Sequence, residues 1–597
     1  MKQTSHKSLL VFVALLLLSV FLSACFPFNL LSGIAQETAT PAPADPTKEP
    51  ATAPEPEEGG SNLIPFSQME YERPDAVALA ERIEEINLLL PLSKDMDELE
   101  SLMREAGEHY YHYFSMRALA EIHSALDRND GYWLDEVNYL FQNTADVQLS
   151  FQKLQDTLYA SSFREQIERE WSEDFFATID DMDYVTEETA PLYEEEAALI
   201  TQHSEMMATA TVEYNGENLT YYDIMELPGL DEYQQALSAW YKEHNPVLGE
   251  LYIDLVTIRQ EIAHLLGYEN YAALYFNGQS TDYTLEMARA YLDDIVTYAV
   301  PAFKDHADVG FLYNPDVSMN YSEYAAFLRD ALYQLSPDLL DAFDAMEYFE
   351  LIDYAPRTGK DAGGMTTYIY DYDAPFILMT YDEGADSMIT LLHEFGHFYD
   401  AYCTYSSLYA STDMDEVYSK GLETLVATKF GSAFGSSTGY EMCYDTLSGV
   451  FTSIVEQPLY TAIELRVYSL PPEELTVDAV NQISLEEFSR FGVDAFNFEE
   501  YNRYDWVSMP HIYQMPFYTL AYSTSGNVAL QLFELSLQDE PLAVDTYHDL
   551  IYREQSDQFI ENVEAAGLKS PFSPGQVQWV ADFAQKYLIE EDWQAAA

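Results

Sequence analysis

The chain has 597 residues and is strongly acidic, with 103 Asp and Glu residues against 27 Lys and Arg and a formal net charge of −76. Nucleic-acid binding needs Lys and Arg side chains that neutralise phosphates, so this composition excludes a nucleic-acid-binding protein. The acidic residues are spread along the chain, which indicates a solvated surface that aids solubility.

Residues 1–25 have the pattern of a targeting segment. Two lysines precede an apolar run from Leu9 to Leu22, and Ser-Ala then leads to Cys25. The apolar run is shorter than the ~20 residues of a membrane-spanning helix. Its end resembles the bacterial lipobox, in which cleavage before the cysteine leaves Cys25 for lipid attachment. We therefore expect a lipoprotein signal peptide and an extracytoplasmic protein, at the cell surface or in the periplasm; an ordinary secretory signal is the alternative.

Residues 26–62 are rich in Pro, Ala and Thr, most densely between Thr38 and Pro56. A segment of this composition buries no apolar surface and is expected to stay disordered. We interpret it as a tether between the lipid anchor and the folded part of the chain. Membrane contact would then occur only through the N-terminal lipid.

The rest of the chain shows mainly the 3.6-residue apolar period of amphipathic helices. This period predicts helices at residues 75–90, 160–179, 248–266 and 285–298. Strand signals are few, chiefly at residues 211–214, before an Asn-Gly turn, and at residues 368–381. Because so long a chain exceeds one compact core, we predict a mainly α-helical fold with two lobes and a small β-sheet.

The motif His393-Glu394-Phe395-Gly396-His397 carries the most chemical information. Side chains four residues apart lie on one face of a helix, so both imidazoles can bind one metal ion. Glu394 points elsewhere and can contact a water molecule beside that metal, as a general base. The motif therefore predicts a metallopeptidase site.

The residues before this motif predict the helix that it needs. Apolar side chains at Met388, Leu391, Leu392 and Phe395 have helical spacing and form one buried stripe. Asp386 or Ser387 is the predicted N-cap of this helix. The two histidines lie at the edge of the stripe, where a partly buried site is expected.

A catalytic zinc site usually has three protein ligands, so a third ligand is expected. Glu416 and Glu423 are seven residues apart in a second predicted helix and share one face of it. A carboxylate at this place would reduce the net charge of the site. By spacing alone, either glutamate can be the third ligand.

These motifs together resemble the M3 family of zinc metallopeptidases, specifically its oligoendopeptidase F branch. That family has H-E-x-G-H followed by E-x-x-S-x-x-x-E, which Glu416, Ser419 and Glu423 match here. The resemblance implies one Zn²⁺ per chain, bound by His393, His397 and Glu416. It also implies that Glu423 orients a ligand through a hydrogen bond. The interval between His397 and Glu416 is shorter than usual in the family, so Glu423 is the reserve candidate for the third ligand.

Three further segments carry the resemblance. Residues 363–368 and 374–381 precede the metal motif, and in the family the second of these is a cleft-edge strand that pairs with the substrate backbone. Residues 259–271 resemble a scaffold segment. Residues 510–522 resemble a segment in which His511, with Tyr518 or Tyr522, binds substrate and stabilises the oxyanion. That segment has one residue more than the family pattern.

Asp400 and the cysteines depart from the pattern or lie outside it. Asp400 stands where the family often has another histidine, and we expect a solvated helix residue there, with a hydrogen-bond acceptor as the alternative. After Cys25 only Cys403 and Cys443 remain, and their redox state is left open.

The resemblance covers roughly residues 205–590 and implies a two-lobed helical fold around a deep channel that admits short peptides. We expect an N-terminal helical region at residues 63–204 and an M3-like catalytic domain at residues 205–597. The implied function of this monomer is zinc-dependent hydrolysis of internal bonds in short unfolded peptides outside the cytoplasm. Glu394 would act as general base and then as general acid. The alternatives are a zinc carboxypeptidase on the same scaffold and a peptide-binding surface lipoprotein without catalysis.

Overall fold

The computed structural model describes residues 62–590 apart from 171–185, 187, 226, 228, 279–280, 311–314, 316, 362, 405–410, 494–497 and 554–557. The predicted signal peptide, Cys25 and nearly all of the predicted tether lie outside the described residues. Within the described part of the chain, no helix combines the length and the apolar character needed to cross a membrane.

The described chain is mostly helical, as predicted, with two small sheets. The first half contains α1 Ala76–Leu89, α2 Met96–Leu126, α3 Gly131–Tyr159, α4 Arg164–Glu170, α5 Ala190–Thr209, α6 Tyr221–Met225, α7 Leu230–Leu265, α8 Tyr271–Gly278, α9 Leu285–Asp294, α10 Val300–Gly310, α11 Tyr321–Leu335 and α12 Pro337–Tyr348. The second half contains α13 Ala385–Thr404, α14 Thr412–Ala427, α15 Phe430–Glu456, α16 Pro458–Val467, α17 Val477–Phe491, α18 Glu499–Tyr504, α19 Pro510–Gln514, α20 Thr519–Gln538, α21 Glu540–Tyr552, α22 Phe559–Ala565 and α23 Gln576–Ala584. Short 3-10 turns lie at Phe66–Gln68, Leu90–Leu92, Tyr370–Tyr372 and Asp505–Ser508, and π-helical turns at Ile295–Ala299 and Gln585–Ile589.

Three of the four predicted helices are present, and α4 lies within the fourth, predicted at 160–179, of which residues 171–179 lie outside the described residues. The predicted helix at 160–179 is wrong at its start, because α3 ends at Tyr159 and α4 begins only at Arg164. Between them the hydroxyl of Ser161 accepts a hydrogen bond from the Phe163 amide at 3.3 Å, which gives the backbone an alternative to the helix. The helix predicted at 248–266 begins earlier, at Leu230, and contains Pro246.

The strands form a hairpin and a three-stranded sheet. As predicted, β1 Thr211–Tyr214 turns back at Asn-Gly and pairs antiparallel with β2 Glu217–Thr220. The strand predicted at 368–381 is wrong as one element. A 3-10 turn and a left-handed Asp373 (φ 48°) separate β4 Gly364–Ile369 from β5 Ala374–Met379, because the chain reverses there.

The sheet order is β3-β5-β4, with β3 at Ile352–Asp353. β5 is therefore the central strand, and all six of its residues are buried. The expectation that residues 374–381 form the cleft-edge strand is wrong, since β3 and β4 take both edges of β5. β4, whose pairing runs antiparallel to β5, is the edge strand next to α13.

Two separate hydrophobic cores underlie the predicted two-lobed architecture. One core joins α1, α2, α3 and α4, and the larger one joins the later helices and the sheet. Helix α2 contributes to both cores: Leu99 and Tyr110 pack in the first, whereas Leu119 and Ile122 pack in the second. The metal motif lies on α13, in the larger core.

Candidate active site and metal centre

Helix α13 is fixed against α14 by a close backbone approach at Gly396. A Cβ atom there would lie 2.5 Å from the Ser419 Cα and 2.7 Å from the Tyr418 carbonyl oxygen. Only glycine allows the two helices to come this near without a shift of backbone. The helix begins at Ala385, so its N-cap position is residue 384 and the N-cap predicted at Asp386 or Ser387 is wrong by two or three residues: Asp386 lies in the first turn.

Three of the predicted site residues meet between α13 and α14. Ligand atoms of His393, His397 and Glu416 all lie within 4.8 Å of one another. The Nε2 atoms of the two histidines are 3.3 Å apart, and Oε2 of Glu416 is 3.6 Å from Nε2 of His393. Two imidazoles and a carboxylate are the ligand set of several catalytic zinc sites, so the donor chemistry fits this ion.

Glu423 lies on the other side of the His393 ring. Its Oε1 is 2.6 Å from Nδ1 of His393, at hydrogen-bond distance, and both side chains are buried. Because a carboxylate accepts, Nδ1 carries the proton and Nε2 is turned toward His397 and Glu416. In this geometry Glu423 holds the Nδ1 side of the His393 ring, and Glu416 lies on its Nε2 side.

Burial and neighbouring charges set the protonation of these groups. Burial lowers the pKa of His397 to about 3. For Glu416, burial alone would favour the neutral form, but His393, His397 and Lys420 outweigh it and lower the pKa to about 2. A neutral imidazole and an ionised carboxylate are the forms that bind metal, so His397 and Glu416 are in their binding forms. Burial alone would lower the pKa of His393, but Glu423 and Glu416 outweigh it and raise this pKa to about 9, so His393 must lose a proton to bind a metal.

Glu394 is fully buried beside this group. Its Oε2 accepts a hydrogen bond from the Thr366 hydroxyl at 2.7 Å, whereas its Oε1 has no hydrogen-bond partner within the described residues. Burial raises the pKa of Glu394 to about 7. A Cβ at Gly364 would lie 2.9 Å from Oε1, so this glycine on β4 keeps space beside the free oxygen. One oxygen is fixed and the other can take a proton.

His511, Tyr518 and Tyr522 are all buried at the same site. The Tyr518 hydroxyl donates to Oε1 of Glu416 at 2.8 Å. Nε2 of His511 lies 3.3 Å from the Tyr522 hydroxyl, and the ring centroids of the two tyrosines are 5.3 Å apart. The structure therefore brings together every residue of the predicted site between 393 and 522.

Sequence reasoning missed two residues at this site. Lys420 is buried, donates to the Tyr522 carbonyl at 2.8 Å and places its ammonium 4.5 Å from the centre of the Tyr522 ring. Its position, four residues after Glu416, was a usable signal, because it lies on the same helical face. Thr366, which holds Glu394, had no such signal beyond its place in the segment before the motif.

Arg259, in the segment interpreted as scaffold, contacts the backbone of the His511 segment. Its buried guanidinium donates to the carbonyls of Ile512, at 3.0 Å, and Tyr513. The same side chain pairs with Glu196 at 2.5 Å. An arginine of α7 thus positions the residues that directly follow His511.

The expectation of a solvated Asp400 is wrong. The residue is 3% exposed, and its Oδ1 has no hydrogen-bond partner within the described part of the chain. Burial raises the pKa of Asp400 well above its usual value, because it faces the interior between α13 and its neighbours. Cys403 and Cys443 are free thiols.

Two family models match the chain and together cover more than half of it. The model of the peptidase M3 N-terminal domain matches residues 66–182, and the model of peptidase family M3 matches residues 338–578. The oligopeptidase PepF of Bacillus subtilis is 22% identical over 277 residues, which are 44% of this chain and 41% of that protein. The group B oligopeptidase PepB of Streptococcus agalactiae is 23% identical over 292 residues, 46% of each chain. The matched part is thus less than half the length of either relative.

Solved structures have the same fold over most of the chain. Pz peptidase A, solved with an inhibitor, superposes with a TM-score of 0.79 at 23% identity and covers 89% of this chain and 100% of its own. A protein from Bacillus anthracis assigned as an oligoendopeptidase F gives a TM-score of 0.74 at 22% identity, over 90% of this chain and 100% of its own.

Proposed function

We propose that this chain, a member of peptidase family M3 with an oligoendopeptidase F-like fold, is a zinc-dependent endopeptidase of short unfolded peptides. One observation carries the proposal. His393, His397 and Glu416 converge within 4.8 Å, and the buried carboxylate of Glu394 lies beside them with one oxygen unbonded within the described residues.

His393, His397 and Glu416 would hold the ion. A zinc ion supplies Lewis acidity, which polarises a peptide carbonyl and acidifies a water molecule. Glu423 keeps the Nε2 atom of His393 directed to the site through its 2.6 Å contact with Nδ1.

Glu394 carries the proton transfers. As the oxygen of water bonds to the scissile carbonyl carbon, Oε1 of Glu394 takes the water proton; when the C–N bond breaks, the same carboxyl returns the proton to the leaving nitrogen. The Thr366 hydroxyl holds the other oxygen at 2.7 Å and so fixes the direction of the carboxyl. A pKa near neutrality suits a group that must both accept and release a proton.

His511 and Tyr522 are proposed to stabilise the oxyanion. They lie 3.3 Å apart and are buried, so a donor hydrogen bond to developing charge would act in a site with little water. Tyr518 supports Glu416 through its hydroxyl.

The position of β4 supports the proposed substrate class. This edge strand carries Thr366 and lies against α13, so an extended peptide that pairs with β4 would pass the Glu394 carboxyl. Such pairing forms hydrogen bonds with the N–H and C=O groups of the peptide. Because these groups must be free, the substrate has to be unfolded. We further propose, from the sequence of residues 1–62 alone, a lipoprotein outside the cytoplasm, and we propose separately that the protein is a monomer.

A library of short peptides, digested by residues 63–597 and analysed by mass spectrometry, tests the function. Internal cleavage by the wild type, absent with Glu394→Gln, is the expected result. Release of single C-terminal residues would favour the carboxypeptidase alternative. Bound zinc with no cleavage would favour the peptide-binding alternative.

A further inference from the structure

We infer that Thr461 and Glu464 on helix α16 are positioning residues for the active site: they hold the peptide groups of Phe517 so that Tyr518 reaches Glu416. The inference rests on the proposed function, because it assigns these residues an effect on the metal centre. Neither residue belongs to the motifs from which the site was predicted.

Phe517 has an unusual backbone. Its φ is +65°, in the left-handed region that bulky side chains rarely adopt. Phe517 stands between Met515, the C-cap residue of α19, and Thr519, where α20 begins. A bulky residue keeps such a conformation only when its surroundings fix it, and these conformations concentrate at functional sites.

Two side chains of α16 fix this residue from one side. Oε2 of Glu464 accepts a hydrogen bond from the Phe517 amide at 2.9 Å, and the Thr461 hydroxyl donates to the Phe517 carbonyl at 3.4 Å. Thr461 and Glu464 are three residues apart and so share one face of the helix. Both are at most 1% exposed. The N–H and the C=O of Phe517 are thus both bound by one rigid element.

The Phe517 side chain is fixed as well. Its ring centroid lies 5.1 Å from that of Phe276, 5.2 Å from that of Tyr275 and 5.4 Å from that of Tyr468. This aromatic packing holds the side chain, but it does not select the left-handed backbone. The peptide groups themselves are held by the two polar contacts from α16 and by the Leu520 amide, which donates to the Phe517 carbonyl at 3.1 Å; of these, only the Glu464 carboxyl binds the Phe517 N–H within the described residues.

The next residue links this conformation to the metal centre. The direction in which Tyr518 leaves the chain depends on φ and ψ of Phe517, and the Tyr518 hydroxyl donates to Oε1 of Glu416 at 2.8 Å. If Phe517 relaxed to an ordinary right-handed or extended backbone, this hydroxyl would move away from Glu416. Glu464 therefore acts on Glu416 through two intermediate residues.

Glutamine is a matched replacement for Glu464. The Oε1 atom of Glu464 has no hydrogen-bond partner within the described residues, and burial raises the pKa of this carboxyl well above its usual value. A neutral amide of the same shape can accept the Phe517 N–H with its oxygen, whereas methionine fills similar space without an acceptor.

A double-mutant cycle tests the inference. Glu464→Met is combined with Tyr518→Phe, and both kcat and the zinc Kd are measured for all four proteins. In the protein with wild-type Tyr518, we expect Glu464→Met to lower kcat at least about tenfold and to weaken zinc binding. In the protein that already carries Tyr518→Phe, adding Glu464→Met should change kcat and the zinc Kd little. Glu464→Gln should keep nearly wild-type values. Equal, additive losses in both backgrounds would overturn the inference, because Glu464 would then act as a general packing residue.

Two further arms keep the test decisive. If Glu464→Met does not fold, Thr461→Val replaces it in the same cycle; it removes one hydroxyl, which contacts the Phe517 carbonyl at 3.4 Å and the Thr519 hydroxyl at 2.9 Å, and Thr519→Val serves as the control for the second contact. If the wild type binds zinc but cleaves no peptide, the proposed function fails, and the zinc Kd alone still decides the inference. Unchanged zinc binding in Glu464→Met and in Thr461→Val would then overturn it.

Discussion

Oε1 of Glu423 lies 2.6 Å from Nδ1 of His393, on the side of the ring opposite to Glu416. This relationship assigns different tasks to two glutamates that are equivalent in spacing. Glu423 fixes the tautomer and direction of the imidazole, and in the proposed site Glu416 would contribute its carboxylate to the metal. The shared helical face of α14 makes both tasks possible, because residues seven apart lie two turns apart along one stripe.

The two glutamates can be separated by substitution. We predict that Glu416→Gln abolishes tight zinc binding, because it replaces a charged ligand by a weak one. Glu423→Gln should weaken zinc binding by only about 10–100-fold, the usual loss for a residue that supports a ligand. Zinc affinity, measured by competition with a chelating dye, checks this order. Tight binding by Glu416→Gln together with loss in Glu423→Gln would reverse the assignment.

Glu394→Gln isolates the proton transfers. The variant keeps a side chain of the same shape, next to Thr366, but cannot accept a proton. We expect zinc content close to that of the wild type and a fall in kcat of about 10²–10⁴-fold, the usual contribution of general acid–base catalysis. Metal analysis and steady-state kinetics on one peptide give both values. A rate near that of the wild type would refute the role of Glu394 as base.

Gly396→Ala tests the packing of α13 on α14. Its new methyl group would meet the Ser419 backbone at 2.5 Å, so the helices must separate. We predict a loss of about 1–3 kcal/mol in the free energy of unfolding, as for other overpacked sites, and a loss of activity. Gly449→Ala in α15 is the matched control, since a Cβ there meets nothing within 4 Å. Equal stability of the two variants in denaturant titrations would contradict the account.

The contact between His112 and Asp371 predicts a pH dependence of stability. Nδ1 of His112 lies 2.8 Å from Oδ2 of Asp371, and this hydrogen bond raises the pKa of His112 above 6.5. A raised pKa means that the folded state binds the proton more tightly, so the stabilisation is complete below pH 6.5 and is lost as the pH rises through the folded-state pKa. The effect is small, because both side chains are partly exposed.

Thermal unfolding at several pH values measures this effect. The difference in Tm between the wild type and His112→Gln should be largest near pH 6 and should shrink toward pH 9. A difference that stays constant over this range would show that His112 contributes by packing alone. Asp371→Asn serves as the partner control, since it removes the same charge pair from the other side.

The metal motif could be predicted from sequence because its information is local. His393 and His397 are four residues apart on one helix, and Glu416 and Glu423 are seven apart on the next, so helical geometry alone places each pair on one face. The likeness of residues 510–522 to a known segment then supplied His511, Tyr518 and Tyr522.

The parts that were missed depend on contacts between distant residues. Thr366 and Glu394 meet only because β4 packs on α13, and no periodic pattern in either segment encodes that meeting. The prediction that residues 374–381 form the edge strand is wrong for the same reason. The apolar run in β5 indicates burial but not which strand lies at the edge of the sheet. Asp400 was misjudged because an acidic residue in a helix is usually solvated, and its burial depends on the surrounding packing.

One measurement tests the central claim most directly. A peptide with an acetylated N-terminus and an amidated C-terminus is incubated with the zinc-loaded protein, and the products are identified by mass spectrometry. The account predicts cleavage at an internal bond by the wild type, none by Glu394→Gln, and a similar rate on the same peptide with free ends. Cleavage confined to the peptide with a free C-terminal carboxylate, or no cleavage of either peptide, would contradict the assignment of this chain as an endopeptidase.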